Sequence, residues 1–185
     1  MIILASGSPR RKELLKLITE DFEIIPAKGE EKADESLPPE EYVMCLAEHK
    51  AAEIARSHKE AVVIGADTVV YADGRILGKP EDRDDAYSML ALLSGRTHSV
   101  FTGVCIFRGD EKQLFAQETK VTFFELTDSE INAYIDTGEP MDKAGAYGIQ
   151  EKGALIVSGI NGDYYNVMGL PVGKLNAVLK GMKAV

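Results

Sequence analysis

Short apolar runs alternate with helical stripes along this chain. Ile2 to Ala5 is a continuous apolar run and predicts a buried strand. Ser6-Gly7-Ser8-Pro9 follows as a tight loop, and Leu14, Leu15 and Ile18 then fall at helical spacing over Glu13 to Ile18. Phe22 to Ile25 predicts a second strand, and a charged segment runs from Lys28 to Glu41. Within it Pro38-Pro39 stops one element, while Glu40 and Glu41 suit a helix first turn, whose dipole favours anions. Val43, Leu46, Ala47, Ala51 and Ile54 lie on one stripe between Tyr42 and Ala55, which predicts a helix of about four turns.

Ala61 to Tyr71 is mostly Val, Ile and Ala, interrupted by Gly65-Ala66-Asp67-Thr68. Asp73-Gly74 then signals a two-residue hairpin whose second strand ends at Leu77. Asp82 to Leu93 predicts a helix ended by Ser94-Gly95. Val100 to Phe107 and Thr119 to Leu126 predict two long strands flanking a polar turn at Gly109-Asp110-Glu111-Lys112. Thr127 and Glu130 have capping-box spacing at the start of another helix, which Gly138 and Pro140 close. Gly145, Gly148, Gly153, Gly159, Gly162, Gly169 and Gly173 crowd the next segment, where the backbone must turn sharply or approach something closely. A last helix follows Pro171. The pattern predicts an α/β chain with mixed strand pairing.

Length and charge narrow the function. A chain of 185 residues fits a single domain, residues 1–185, at most divided into two small lobes. Thirty Asp and Glu against 21 Lys and Arg give a net charge of −9, a field that repels nucleic acid and anionic membranes as partners. Cys45 and Cys105 sit apart in apolar runs and read as reduced core residues of a cytoplasmic protein. Met1 to Ala5 is shorter than the roughly 7–15 residues of a signal-peptide core and runs into Arg10-Arg11-Lys12. No window has the roughly 20 apolar residues of a membrane span.

Two places break local rules. In Ser6-Gly7-Ser8-Pro9-Arg10-Arg11-Lys12, Ser8 is a good N-cap, yet three cations follow at the positive end of a helix dipole. Hydroxyls and two guanidiniums converging there suit a polyphosphate, although a solvated capped helix would use the same residues. Asp67 interrupts an apolar run, where a carboxylate must hold a metal, pair with a cation, act as a base or cap a turn. Glu30 and Glu31 follow the second strand as further acids. Lys50 fits an exposed helix face as well as a ligand role, whereas Lys79 lies in the stiff Leu77-Gly78-Lys79-Pro80 after the hairpin. Gln150 is an amide in a glycine-shaped loop, able to donate to and accept from a pyrimidine edge or to bond its own backbone. His49, His58 and His98 show no metal spacing, and His98 reads as a structural histidine near a strand start.

Ala5-Ser6-Gly7-Ser8-Pro9-Arg10-Arg11, Glu30, Lys50, Gly65-Ala66-Asp67-Thr68, Gly78-Lys79-Pro80, Leu93-Ser94-Gly95, Asp142-Lys143-Ala144-Gly145-Ala146-Tyr147-Gly148-Ile149-Gln150 and Gly169-Leu170-Pro171 occur in that order. On these linked motifs the chain resembles the Maf family of nucleoside triphosphate pyrophosphatases over essentially its full length. The resemblance implies an inosine-triphosphatase-like α/β fold, with a long twisted mixed sheet flanked by helices and a cleft between two lobes. It implies a divalent cation, Mg2+ or Mn2+, cleavage between the α- and β-phosphates, and a homodimer. It places the phosphate-binding loop on Ser6, Ser8, Arg10 and Arg11, the acidic group on Glu30 and Asp67, and the phosphate-contacting lysines on Lys50 and Lys79. Asp67 is the implied proton acceptor, and the choice between Glu30 and Glu31 stays open. Arg10, Thr68 and Gln150 resemble the branch acting on dTTP and UTP, with Thr68 and Gln150 as the implied contacts to the pyrimidine, and Thr68 speaks against the 7-methyl-GTP branch. Two other readings fit the same family: a nucleotide-binding regulator of septum formation without catalysis, and a broad house-cleaning pyrophosphatase for ITP-like substrates.

Overall fold

A computed structural model describes residues 1–29, 33–34 and 36–185. Its elements run β1 (Ile2–Leu4), α1 (Pro9–Leu15), β2 (Phe22–Ile24), α2 (Pro39–Ala55), β3 (Val62–Ala72), β4 (Arg75–Leu77), α3 (Arg83–Leu93), β5 (Thr97–Arg108), β6 (Glu111–Phe123), α4 (Asp128–Asp136), β7 (Val157–Asn161), α5 (Tyr164–Met168) and α6 (Val172–Gly181). Three short 3-10 turns fill the stretch between α4 and β7. Among the described residues the sheet has the order β2-β1-β3-β5-β6-β7, with β4 paired to β3 off that path. β1 runs parallel to β2 and β3, whereas β4 on β3 and β7 on β6 are antiparallel. This is the mixed α/β architecture that the sequence pattern predicts.

The chain divides into two compact units. The first comprises residues 1–68, 102–117 and 169–185. Its core gathers Ile3, Ala5, Ala47, Ala51, Ile54, Ala61, Val63 and Cys105. The buried face of α2 is the stripe Val43, Leu46, Ala47, Ala51 and Ile54 that the sequence marks. What lets α2 lie so close to the sheet is two glycines. A Cβ on Gly65 would lie 2.7 Å from the backbone nitrogen of Ala51, and one on Gly103 would lie 2.7 Å from that of Met44. Helix backbone therefore rests directly on strand backbone.

The second unit comprises residues 69–101 and 118–168. Leu90 and Leu93 of α3, Ile131, Tyr134 and Ile135 of α4, Val121 and Phe123 of β6, and Tyr147 form its core. Asp82 caps α3 by accepting from the Asp85 N–H, and Thr127 with Glu130 forms the predicted capping box of α4.

Several boundaries move. The run from Ala61 to Tyr71 is one strand, as its apolar pattern predicts, and β3 carries Gly65-Ala66-Asp67-Thr68 within it and ends at Ala72. β6 starts at Glu111 rather than Thr119, its first residues being polar and exposed. α1 begins at Pro9, one residue after its Ser8 cap, and ends at Leu15. β7 and α5 were not expected: β7 is five residues, four of them exposed, and carries almost no apolar signal. Cys105 is buried and its thiol is pushed up to about 12 by burial, while Cys45 is half-buried, and neither forms a disulfide. No helix among the described residues is long and apolar enough to cross a membrane.

Candidate active site

In the first unit the chain leaves the carboxyl end of β1 at Ala5 and turns through Ser6 to Ser8 into α1. The carboxyl ends of parallel strands are where open α/β sheets bind ligands. Ser6 Oγ accepts from the Ser8 N–H at 3.3 Å, and Ser8 Oγ accepts from the Arg11 N–H at 3.4 Å. The side chain of Arg11 folds back over this turn. Its Nη1 donates to Ser6 Oγ at 3.2 Å, its Nη2 to Thr68 Oγ1 at 3.1 Å, and its Nε to the Gly169 carbonyl at 2.9 Å. Thr68 Oγ1 also lies 2.9 Å from Thr102 Oγ1, on a residue with no exposed surface. One guanidinium thus ties β1, β3 and the loop before α6 into a fixed array of hydroxyls. Arg10 is half-buried at the same helix start.

The neighbouring residue of β3 serves the other face of the strand, as pleating requires. Asp67 is 8% exposed, and Lys50 of α2 donates to its Oδ1 at 2.6 Å. The two side chains are 12% and 11% exposed, so the pair is largely removed from water. Gly65 explains how a lysine of α2 reaches this acid. Gly65 and Asp67 share a face of β3, and the missing Cβ lets the α2 turn bearing Lys50 close down upon it. The exposed-face reading of Lys50 does not hold, because its side chain is largely buried against Asp67.

Lys79 and Gln150 belong to the second unit. Lys79 is exposed in the turn after β4, and the Gly78 carbonyl before it accepts from the Gly145 N–H at 2.9 Å. That bond joins the Lys79 turn to the 142–150 loop. The loop is bent through positive φ at Gly145 (67°) and at Ala146 (60°). Lys143 Nζ donates to the Glu139 carbonyl at 2.6 Å and to Asp142 Oδ1 at 2.8 Å, and the Gly148 N–H donates to Tyr134 Oη at 3.1 Å. Gln150 is exposed at the start of the following 3-10 turn and makes no capping bond with its side chain. Beneath the loop, His98 Nε2 and Tyr147 Oη are 2.7 Å apart. Burial holds His98 down at about 4 and pushes the phenols of Tyr134 and Tyr147 up, the former to about 12, so all three rings stay neutral.

Of the residues singled out in the sequence, Ser6, Ser8, Arg11 and Thr68 are thus bonded in one array of the first unit and Lys50 and Asp67 in a separate pair. Glu30 and Glu31 lie outside the described residues. Among the described residues no three His, Cys, Asp or Glu side chains gather as a metal-binding group. Two contributors escaped sequence reasoning. Thr102 is a hydroxyl hidden in an apolar strand, and the Gly169 carbonyl is a backbone acceptor that no side-chain pattern marks.

A family model described as Maf-like protein matches residues 1–182. The chain is 55% identical to a dTTP/UTP pyrophosphatase of Bacillus velezensis over 97% of its own length and 95% of the relative's. It is 53% identical to a dTTP/UTP pyrophosphatase of Bacillus cytotoxicus, covering 96% of this chain and 93% of that one. Among solved structures, the Staphylococcus aureus Ham1 protein aligns with a TM-score of 0.56 at 16% identity, covering 98% of each chain. A HAM1 protein from Coxiella burnetii aligns with a TM-score of 0.55 at 16% identity, covering 97% of this chain and 98% of that one. These two likenesses are of fold.

Proposed function

The chain belongs to the Maf family, and from that premise we propose that it is a nucleoside triphosphate pyrophosphatase that hydrolyses dTTP and UTP to the monophosphate and pyrophosphate. The observation that carries the reading is the buried Lys50–Asp67 pair on the strand position next to the Arg11–Ser6–Thr68 array. Consecutive residues of β3, Asp67 and Thr68, thus carry a lysine-held carboxylate on one face and an arginine–hydroxyl array on the other, the two kinds of group that attack on a phosphate anhydride uses.

The hydroxyls of Ser6 and Ser8 and the charges of Arg10 and Arg11 receive the phosphates. Lys50 grips Oδ1 of Asp67 and fixes the direction in which Oδ2 points. Asp67 accepts a proton from a water that attacks the α-phosphorus; the bond from that phosphorus to the bridging oxygen breaks, and pyrophosphate leaves with its charge offset by Lys79 and the arginines. Thr68 acts through Arg11, since its hydroxyl is engaged by that guanidinium and by Thr102. Gln150 reads the pyrimidine edge.

A hard divalent cation suits the donors present. Mg2+ bound with a nucleotide takes one or two protein carboxylates and fills its octahedron with phosphate oxygens and water. Asp67, with Glu30 as second acid, would hold Mg2+ or Mn2+, which would supply charge neutralisation at the phosphate oxygens. The protein works in the cytoplasm, beside its nucleotide substrates, as a homodimer.

The test is pyrophosphate release from dTTP, UTP, GTP, ITP and 7-methyl-GTP, with Mg2+, Mn2+ or chelator, for the wild type and Asp67→Asn. Release confined to dTTP and UTP and lost in Asp67→Asn is expected. Equal rates on purine and pyrimidine triphosphates would remove Gln150 from specificity, and near-normal turnover of Asp67→Asn would remove Asp67 from the chemistry.

A further inference from the structure

Beneath the 142–150 loop lies a histidine that the proposed chemistry does not use. His98, the second residue of β5, is 4% exposed. Its ring meets Phe123 edge-on at 5.0 Å and Tyr147 at 5.3 Å, and Phe123 meets Tyr147 at 4.6 Å, so the three rings pack mutually edge to face. An apolar side chain would fill such a site without cost. The imidazole does not, because its Nδ1 is buried with no hydrogen-bond partner among the described residues. What this nitrogen's loss is set against is the 2.7 Å bond between Nε2 and the Tyr147 hydroxyl, which either group can donate.

That bond ties the loop to β5 through side chains. The loop needs ties, because Ala146 sits at φ 60°, a conformation that a residue with a Cβ holds only when its surroundings impose it. Val70 presses on Gly145 from β3, where a Cβ would lie 2.7 Å from Val70 Cγ2. Gly145 in turn donates to the Gly78 carbonyl, and Gly148 donates to Tyr134 Oη. Tyr147 stands between these two anchored glycines, and Gln150 follows it by one turn of chain. Releasing Tyr147 frees the backbone that aims Gln150 and, through Gly145, the turn that bears Lys79.

We propose that His98 is a positioning residue for nucleotide recognition: by holding Tyr147 it sets the 142–150 loop and so the placement of Gln150 and Lys79 toward a pyrimidine triphosphate. The inference rests on the reading of Gln150 as the base contact. His98 thereby differs from Phe123, which packs against it without a hydrogen bond to the loop, and from Gln150, which would touch substrate.

Tyr147→Phe removes one hydroxyl and keeps the ring packing, His98→Leu removes the imidazole, and His98→Gln keeps a group able to reach Tyr147. Two readouts are taken on the full chain. Amide hydrogen exchange should quicken at least tenfold over residues 143–150 and at Lys79 in Tyr147→Phe and His98→Leu, stay at wild-type rates in α2, and recover in His98→Gln. Steady-state kinetics with dTTP should show KM raised about tenfold with kcat within twofold, again rescued by His98→Gln, whereas a merely structural role would lower active fraction and leave KM in place. Unchanged exchange in Tyr147→Phe overturns the hold on the loop. Faster exchange with unchanged KM overturns its link to recognition. A wild type that releases no pyrophosphate from dTTP refutes the pyrophosphatase reading instead, and the exchange data still decide whether His98 holds the loop.

Discussion

Replacing Lys50 by methionine keeps the length and apolar stem of the side chain and deletes the charge that Asp67 faces. Asp67 would then keep a carboxylate in a site that exposes 11% of its side chain, with the 2.6 Å donor gone. Breaking a buried ion pair from one side costs about 3–5 kcal/mol, and the depth of this pair puts it inside that range. Against a total stability of about 5–15 kcal/mol for a native protein, that is a large share. At about 2–4 °C per kcal/mol for a chain of this size, the melting temperature should fall by roughly 6–20 °C. Urea unfolding at pH 7 supplies the free energy. The double variant Lys50→Met with Asp67→Leu removes the stranded charge and should recover most of the loss, since well-packed apolar residues replace buried pairs at little cost. A loss in Lys50→Met below about 1 kcal/mol, or a double variant no more stable than the single, would refute the claim that the pair is buried and coupled.

Acid should act through His98. Burial lowers its folded-state value from 6.5 to about 4, so the unfolded chain takes up a proton that the folded one refuses: stability holds above pH 6.5, falls as pH drops toward 4 and levels off below. The gap of 6.5 − 4 at 1.36 kcal/mol per pH unit gives about 3 kcal/mol, visible as a shift of the urea midpoint that His98→Gln should abolish. Thr102→Val deletes one of the two hydrogen-bond partners of Thr68 named above, at a site without exposed surface, and should cost about 1–3 kcal/mol while lowering kcat/KM for dTTP, as the Arg11 array loosens; unfolding and kinetics measured together check it. Gly65→Ala should destabilise by several kcal/mol because the new methyl meets the α2 backbone, whereas Gly159→Ala, with open space around it, should melt within a degree or two of wild type.

Where local chemistry decides structure, the sequence was readable. Asp73 and Gly74 take φ of 52° and 74°, as a two-residue hairpin demands, and Thr127 with Glu130 closes its capping box. The apolar stripe of α2 is the face that becomes buried. Where the deciding contact is remote, it was not. Lys50 carries no local mark of burial, since its partner lies 17 residues on and is brought near by a glycine contact. The early part of β6 and most of β7 are polar or exposed, so ladder pairing within the sheet rather than apolar alternation makes them strands. For the site, the family motifs pointed to Ser6, Arg11, Asp67 and Thr68, but only the fold displays that Arg11 is clamped by three acceptors and that Thr102 stands behind Thr68.

The seating of α2 on Gly65 and Gly103 also bears on how this protein tolerates change. The height of α2 above the sheet is set by main-chain atoms meeting main-chain atoms, which no mutation at Val43, Leu46 or Ile54 can alter directly. Changes to those core side chains cost packing but leave in place the main-chain contact that brings Lys50 to Asp67. The sensitivity is concentrated instead at two positions, where even the smallest side chain would lift the helix and part the pair.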